Sequence, residues 1–309
     1  MSVLPPLVPR CATAIVASRR VPALRAHCPD VSRIVAQTAG APPNTGRTSC
    51  AALSLVSRTS PRIAGVVSRV LEDLPPLLTP VRTLSTDEGA TLKQVHRLHD
   101  GALVESVLMR YPGRVTMCVS SQAGCGMNCP FCATGQAGLT RNMSAGEIVD
   151  QVVAGARWLR RGEVPGGHGR VSNVVFMGMG EPLMNRSAVM PALTLLNHAY
   201  QLGARRITVS TVGIVPGIND LAARPEQFRL AVSLHAPNEE LRQQLVPVEK
   251  KYPLPELMES LDRFEEAGGR RITFEYVMIQ GVNDELEHAE QLAGLIGRFQ
   301  SHVNLIPFN

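Results

Sequence analysis

Three cysteines, Cys125, Cys129 and Cys132, fall within eight positions of one short segment. The chain has seven cysteines in 309 residues, so a given spaced triplet is expected by chance roughly 0.003 times. Thiolates bind soft metals and iron–sulfur clusters. Three ligands from one Cys-x3-Cys-x2-Cys loop suit three irons of a [4Fe–4S] cube and leave the fourth iron open to a small molecule. A structural zinc site wants four protein ligands and would need Cys118 or a histidine to complete it. The plainest alternative is three thiols with no joint role.

Other residues stand where chemistry is feasible. Gly180 and Glu181 lie in "GMGEP", where glycine lets backbone approach a ligand and the carboxylate can pair with an ammonium. Taken alone, such a tip reads more readily as a turn. Ser210 ends "VST", and Ser233, Leu234 and His235 end "VSLH"; polar capping of strand ends is the simpler account. Glu105 in "GALVESVLMRY" reads as a solvated acid, and Cys118 as a small hydrophobe in a strand.

The elements around these residues alternate. Strands are predicted at 114–120, 171–178, 205–211, 228–235, 270–279 and 302–308. Helices are predicted at 144–161, 187–203, about 216–223, 237–246, 253–268 and 284–299. Ser144 with Glu147 forms a capping box at the start of the first helix. Six strands alternating with helices imply parallel strands joined by right-handed crossovers. The fold class is therefore α/β, a partial (β/α)6 barrel with an irregular N-terminal extension. In such barrels the C-terminal strand ends carry the chemistry, which puts the cysteine loop over the mouth.

Composition bounds the partners. The chain is 44% hydrophobic, 4% aromatic and carries a net charge of +5. No apolar run is long enough to span a membrane, and no aromatic base-stacking platform is visible. Residues 1–65 hold eight Arg, no Lys and one acid, so the basic excess lies there and a pI of about 9.0 says little about the barrel. That segment reads as a disordered basic arm, an organelle transit peptide or a mistranslated start. Residues 66–110 read as lead-in strands and 111–309 as the barrel. The odd cysteine count, with no secretory signal, argues for a reducing compartment, the cytoplasm.

The segments "CVSSQAGCGMNCPFCATGQAGLTRN", "NVVFMGMGEPLMN", "ITVSTVGIVPGI", "LAVSLHAPNEELR", "PVEKKY", "FEYVMIQGVND" and "VNLIPFN" together resemble the radical S-adenosylmethionine (SAM) superfamily. Within it they resemble the RlmN/Cfr family of RNA methyltransferases, from about residue 85 to 309. The resemblance implies a [4Fe–4S] cluster on Cys125, Cys129 and Cys132, and SAM held by Gly180, Glu181, Ser210, Ser233, Leu234, His235 and Asn309. It implies that Glu105 accepts a proton and that Cys118 resolves a covalent RNA adduct by disulfide formation. It implies 2-methyladenosine formed in 23S rRNA and tRNA, with carbon-8 methylation as the related alternative. A monomer served by flavodoxin or ferredoxin as electron donor, with no membrane contact, is expected. Arg141, Arg157, Arg160 and Arg161, near the mouth, are candidates for RNA phosphate contact, although a charge run on a helix reads more readily as a solvated face. The family's methyl-carrying cysteine lies after the barrel, whereas no cysteine follows Cys132 here. The chain is thus expected to be a truncated member, or a non-catalytic iron–sulfur remnant that binds RNA.

Overall fold

The computed structural model describes residues 77–308, apart from 167, 168 and 270. Asn309, the cysteines at 11, 28 and 50, and the whole basic segment lie outside the described residues.

Strand β1 (Thr79–Thr86), β2 (Thr91–Arg97) and β3 (Leu103–Tyr111) form an antiparallel meander that delivers the chain to β4 (Arg114–Cys118). Beyond β4 the six-strand alternation expected from sequence is realised: β4, β7 (Asn173–Phe176), β8 (Ile207–Thr211), β9 (Arg229–Ser233), β10 (Ile272–Met278) and β11 (Ser301–Pro307) pair in parallel, in that order. The result is one open nine-stranded sheet, β1-β2-β3-β4-β7-β8-β9-β10-β11, a partial barrel with three antiparallel strands on one flank. A separate two-stranded hairpin, β5 (Gln122–Gly124) with β6 (Leu139–Asn142), brackets the cysteine loop.

Helices cross between the strands: α1 (Ala133–Gln136), α2 (Ala145–Arg161), α3 (Arg186–Thr194), α4 (Val215–Ala222), α5 (Glu239–Leu245), α6 (Leu254–Glu266) and α7 (Leu286–Ile296). Ser144 and Glu147 form the expected reciprocal capping box on α2. Strand alternation sorts the side chains. Met117, Val174, Val209, Leu230, Val232 and Phe274 are fully buried on the sheet face that the helices cover. Their strand neighbours turn to the other, concave face, and the register puts Val107, Cys118, Val175 and Thr208 there together, with Ser210, Ala231 and Thr273 in the next row.

Candidate functional site

The cysteine loop is anchored at both ends before any thiol is considered. Cys125 N–H donates to the Gly138 carbonyl (2.9 Å), and Cys132 N–H to the Cys129 carbonyl (3.1 Å). Gln136 on α1 reaches back to the same Cys129 carbonyl through its Nε2 (3.1 Å). Cys125 and Cys129 are buried and Cys132 is half-buried. Burial, the charges of Cys132 and Cys125, and the charge of Glu181 push the Cys129 thiol up to about 12, with Arg242 acting in the opposite sense. Burial, then Glu181 and Cys132, also raises Cys125. The three thiols therefore share one electrostatic neighbourhood. Among the described residues, no three Cys, His, Asp or Glu side chains converge tightly enough to hold a single metal ion. Three thiols grouped on one short loop suit the three protein-held irons of an iron–sulfide cube, whereas a structural zinc ion wants a fourth protein ligand.

The Gly180–Glu181 tip is bolted to this loop. Glu181 N–H donates to Gln122 Oε1 (2.8 Å), while Gln122 Nε2 donates to Asn142 Oδ1 (2.7 Å), so one side chain ties the hairpin to the end of β7. Asn185 Nδ2 donates to the carbonyls of Ser121 and Met143, both at 2.8 Å. Gly180 has φ +94°, and a Cβ there would sit 2.5 Å from Gln122 Cβ, so only glycine fits. The Glu181 carboxylate is buried; Oε1 accepts from Leu183 N–H (3.0 Å) and Oε2 from Val212 N–H (2.8 Å). Burial pushes its pKa up to about 7 against these bonds and the Thr211 hydroxyl. A carboxylate offers about four lone-pair sites, so these three donors leave room for a cationic ligand.

The end of β9 closes the opposite side. Ser210 is buried and Ser233 half-buried on the concave face, and Leu234 is fully buried with its N–H given to the Glu275 carbonyl (3.0 Å). His235 holds a left-handed backbone (φ 58°), fixed by Asn283 Nδ2, which donates to the His235 carbonyl (2.8 Å). Val277 N–H donates to His235 Nδ1 (3.1 Å), which leaves the ring hydrogen on Nε2. Burial, then Arg242, holds this imidazole down to about 3, so it is neutral. Phe131 of the cysteine loop meets the His235 ring edge-on, with centroids 4.9 Å apart. The structure thus gathers the cysteine loop, the Gly180–Glu181 tip and His235 at one mouth.

Glu105 and Cys118 lie on the concave face of β3 and β4. Cys118 is opposite Val107, and the Ser120 hydroxyl donates to the Glu105 carbonyl (2.5 Å), which makes Glu105 and Cys118 diagonal neighbours about 7–8 Å apart. Burial holds the Cys118 thiol at about 12. Lys93 on β2 pairs with Glu105 at 2.7 Å.

The arginines expected at the mouth are corrected. Arg141 is already engaged: it binds Glu147 (2.8 and 3.0 Å) and Asp100. Arg157, Arg160 and Arg161 are exposed in the last turns of α2. That helix runs back from the mouth for about 25 Å, so these residues sit near the opposite end of the barrel. Sequence reasoning missed Gln122, Lys93, Asn283 and Arg242. Gln122, three residues before Cys125, was the one readable signal.

Comparison with known proteins agrees with this geometry. The Radical SAM superfamily family model matches residues 119–293. A protein of Thermobifida fusca called "Probable dual-specificity RNA methyltransferase RlmN" is 56% identical over 240 residues, covering 76% of this chain and 66% of that protein. The same-named protein of Frankia alni is 57% identical over 240 residues, 76% and 57%. That of Streptomyces griseus is 52% identical over 251 residues, 80% and 68%. The chain thus spans from rather over half to about two thirds of these relatives. The crystal structure of a radical SAM methyltransferase from Sphaerobacter thermophilus superposes with a TM-score of 0.76 at 49% identity, covering 82% of this chain and 73% of that one. Three grouped thiols, a glycine–glutamate tip beside them and these matches together show that the chain belongs to the RlmN family of the radical SAM superfamily.

Proposed function

We propose that this chain is the radical SAM barrel of an RNA methyltransferase that forms 2-methyladenosine in 23S rRNA and in tRNA. One observation carries the reading: the cysteine loop, the Glu181 carboxylate and the neutral His235 ring meet at the mouth of a barrel with a family-typical sequence. Superfamily membership brings a [4Fe–4S] cluster and SAM, and the bound cluster supplies the electron that cleaves the SAM carbon–sulfur bond.

The residues divide the work. Cys125, Cys129 and Cys132 hold the cluster. Glu181, with Gly180 giving it room, receives the SAM ammonium. Ser210, Ser233 and His235 Nε2–H present hydrogen-bonding groups to the carboxylate, ribose and adenine, and Asn309 to the adenine. Glu105 accepts a proton from the methylated base, and Lys93 fixes its position. Cys118 is a thiol at neutral pH because burial holds it near 12. Its exchange chemistry therefore needs a base to take the thiol proton. Flavodoxin or ferredoxin is the proposed electron donor, and a cytoplasmic monomer the proposed state. No described helix is long and apolar enough to cross a membrane.

The test is anaerobic turnover of the reduced chain with SAM and fragments of 23S rRNA or tRNA. Release of 5′-deoxyadenosine that depends on Cys129, with any methyladenosine formed carrying its methyl at carbon 2, supports the proposal. A carbon-8 product assigns the chain to the other branch of the family. A loaded, reduced cluster that never cleaves SAM overturns the enzymatic reading.

A further inference from the structure

Arg242 is fully buried on α5. Its helix neighbours Leu241 and Leu245, with Val246 and Val212, belong to the apolar cluster that encloses Cys129. Nη2 donates to the Val212 carbonyl (2.5 Å) and Nη1 to Glu249 Oε2. Val212 also donates its N–H to Glu181, so the guanidinium is anchored to the residue that positions the glutamate. Glu249 is held in turn by Leu254 N–H (2.6 Å). Arg242 Nε is buried and has no hydrogen-bond partner among the described residues.

A buried ion pair is a poor way to gain stability, since apolar residues of similar volume commonly do as well. Here the apolar neighbours of Arg242 on its helix pack with Cys129, Phe131 and Cys132 of the cysteine loop, and one donor of the guanidinium is left over. We propose that Arg242 is a positioning residue for the iron–sulfur cluster: it fixes a positive charge beside the Cys129 corner and raises the cluster's reduction potential. The mutual electrostatic influence of Arg242 and Cys129 agrees with this placement. Reduction adds one electron, taken from a low-potential donor, to a cluster already carrying three thiolates. A nearby cation stabilises the more negative, reduced state. Arg242 itself neither gains nor loses an electron. The inference rests on the three-cysteine cluster reading above.

The experiment is a redox titration of the full, anaerobically reconstituted chain, with dithionite as reductant and paramagnetic resonance as readout. Iron and sulfide are counted in every sample. Arg242→Gln is expected to hold about tenfold less reduced cluster at a fixed potential, a shift of about 59 mV to more negative values for one electron. Glu249→Gln, which keeps the cation and removes its counter-charge, is expected to shift the other way. Arg242→Lys, which gives up the fork but keeps the positive charge, is expected to stay within about threefold of wild type. Loaded Gln variants within threefold of wild type, or shifts of the same sign, overturn the proposal. Where only one Gln variant loads, its sign decides. Where neither loads, a tenfold shift in Arg242→Lys overturns the proposal and a wild-type potential supports it. Wild-type protein that takes up no iron or sulfide removes the cluster reading, and this inference with it.

Discussion

Gly180 is the position where one methyl group should do most damage. Its φ of +94° is a conformation that side-chain-bearing residues rarely adopt, and a Cβ would lie 2.5 Å from Gln122 Cβ, 2.7 Å from Gln122 Cγ and 2.8 Å from Gln122 N. A flexible side chain could swing aside, but a backbone nitrogen cannot. Backbone strain of about 1–3 kcal/mol adds to overpacking of about 1–3 kcal/mol, so Gly180→Ala should lose about 2–6 kcal/mol. At about 2–4 °C per kcal/mol for a domain of this size, Tm should fall by at least about 4 °C. Relief requires Gln122 to move, and Gln122 holds both Glu181 N–H and Asn142. SAM affinity of the reconstituted variant should therefore fall even where it remains folded. Gly203→Ala is the control: φ there is −53° and nothing lies within 4 Å, so it should be neutral or slightly stabilising. Urea denaturation and calorimetry of the three proteins decide the matter. A Gly180→Ala variant as stable as Gly203→Ala would refute the steric argument.

Two further outcomes are expected. His96 is buried at 1% exposure, with Nε2 bonded to the Ser106 hydroxyl (2.8 Å), and burial lowers its pKa to about 4. A depressed folded pKa means that the unfolded chain takes up the proton first. Stability is therefore complete above the unfolded value near 6.5 and is lost as pH falls toward 4, by about 3 kcal/mol. The loss of denaturation midpoint between pH 7 and 4.5 should shrink in His96→Gln, and an equal loss in both proteins would contradict the assignment. Asn283 binds the carbonyls of His235 and Val277 and receives Ile279 N–H (2.6 Å). Asn283→Ala should lose about 2–4 kcal/mol through unsatisfied buried groups and weaken SAM binding by releasing His235; unchanged SAM affinity would disprove the positioning role.

The parts legible in the sequence were those with local causes. Ser144 and Glu147 announce the start of α2 because a capping box is made within one turn. The six parallel strands are legible because buried apolar runs alternate with helical periods. What stayed hidden depends on contacts distant in the chain. "NEELRQQL" reads as a solvated helix with an ordinary arginine, yet Arg242 is fully buried because Val212 and Glu249 supply acceptors. Arg141 looks available for phosphate until Asp100, 41 residues earlier, claims it. Strands β5 and β6 are three and four residues long, too short for a periodic signal, although their pairing fixes where Cys125 begins. The π turn at Leu195–Ala199, just after the Pro191-bearing α3, has no periodic signature of its own.

The account turns on what Cys125, Cys129 and Cys132 hold. Anaerobic reconstitution with iron and sulfide, followed by metal and sulfide counts and paramagnetic resonance of the reduced sample, measures it directly. About four irons and four sulfides per chain, lost on Cys129→Ala, is the predicted result. Tight binding of one zinc ion with no uptake of iron or sulfide would contradict it.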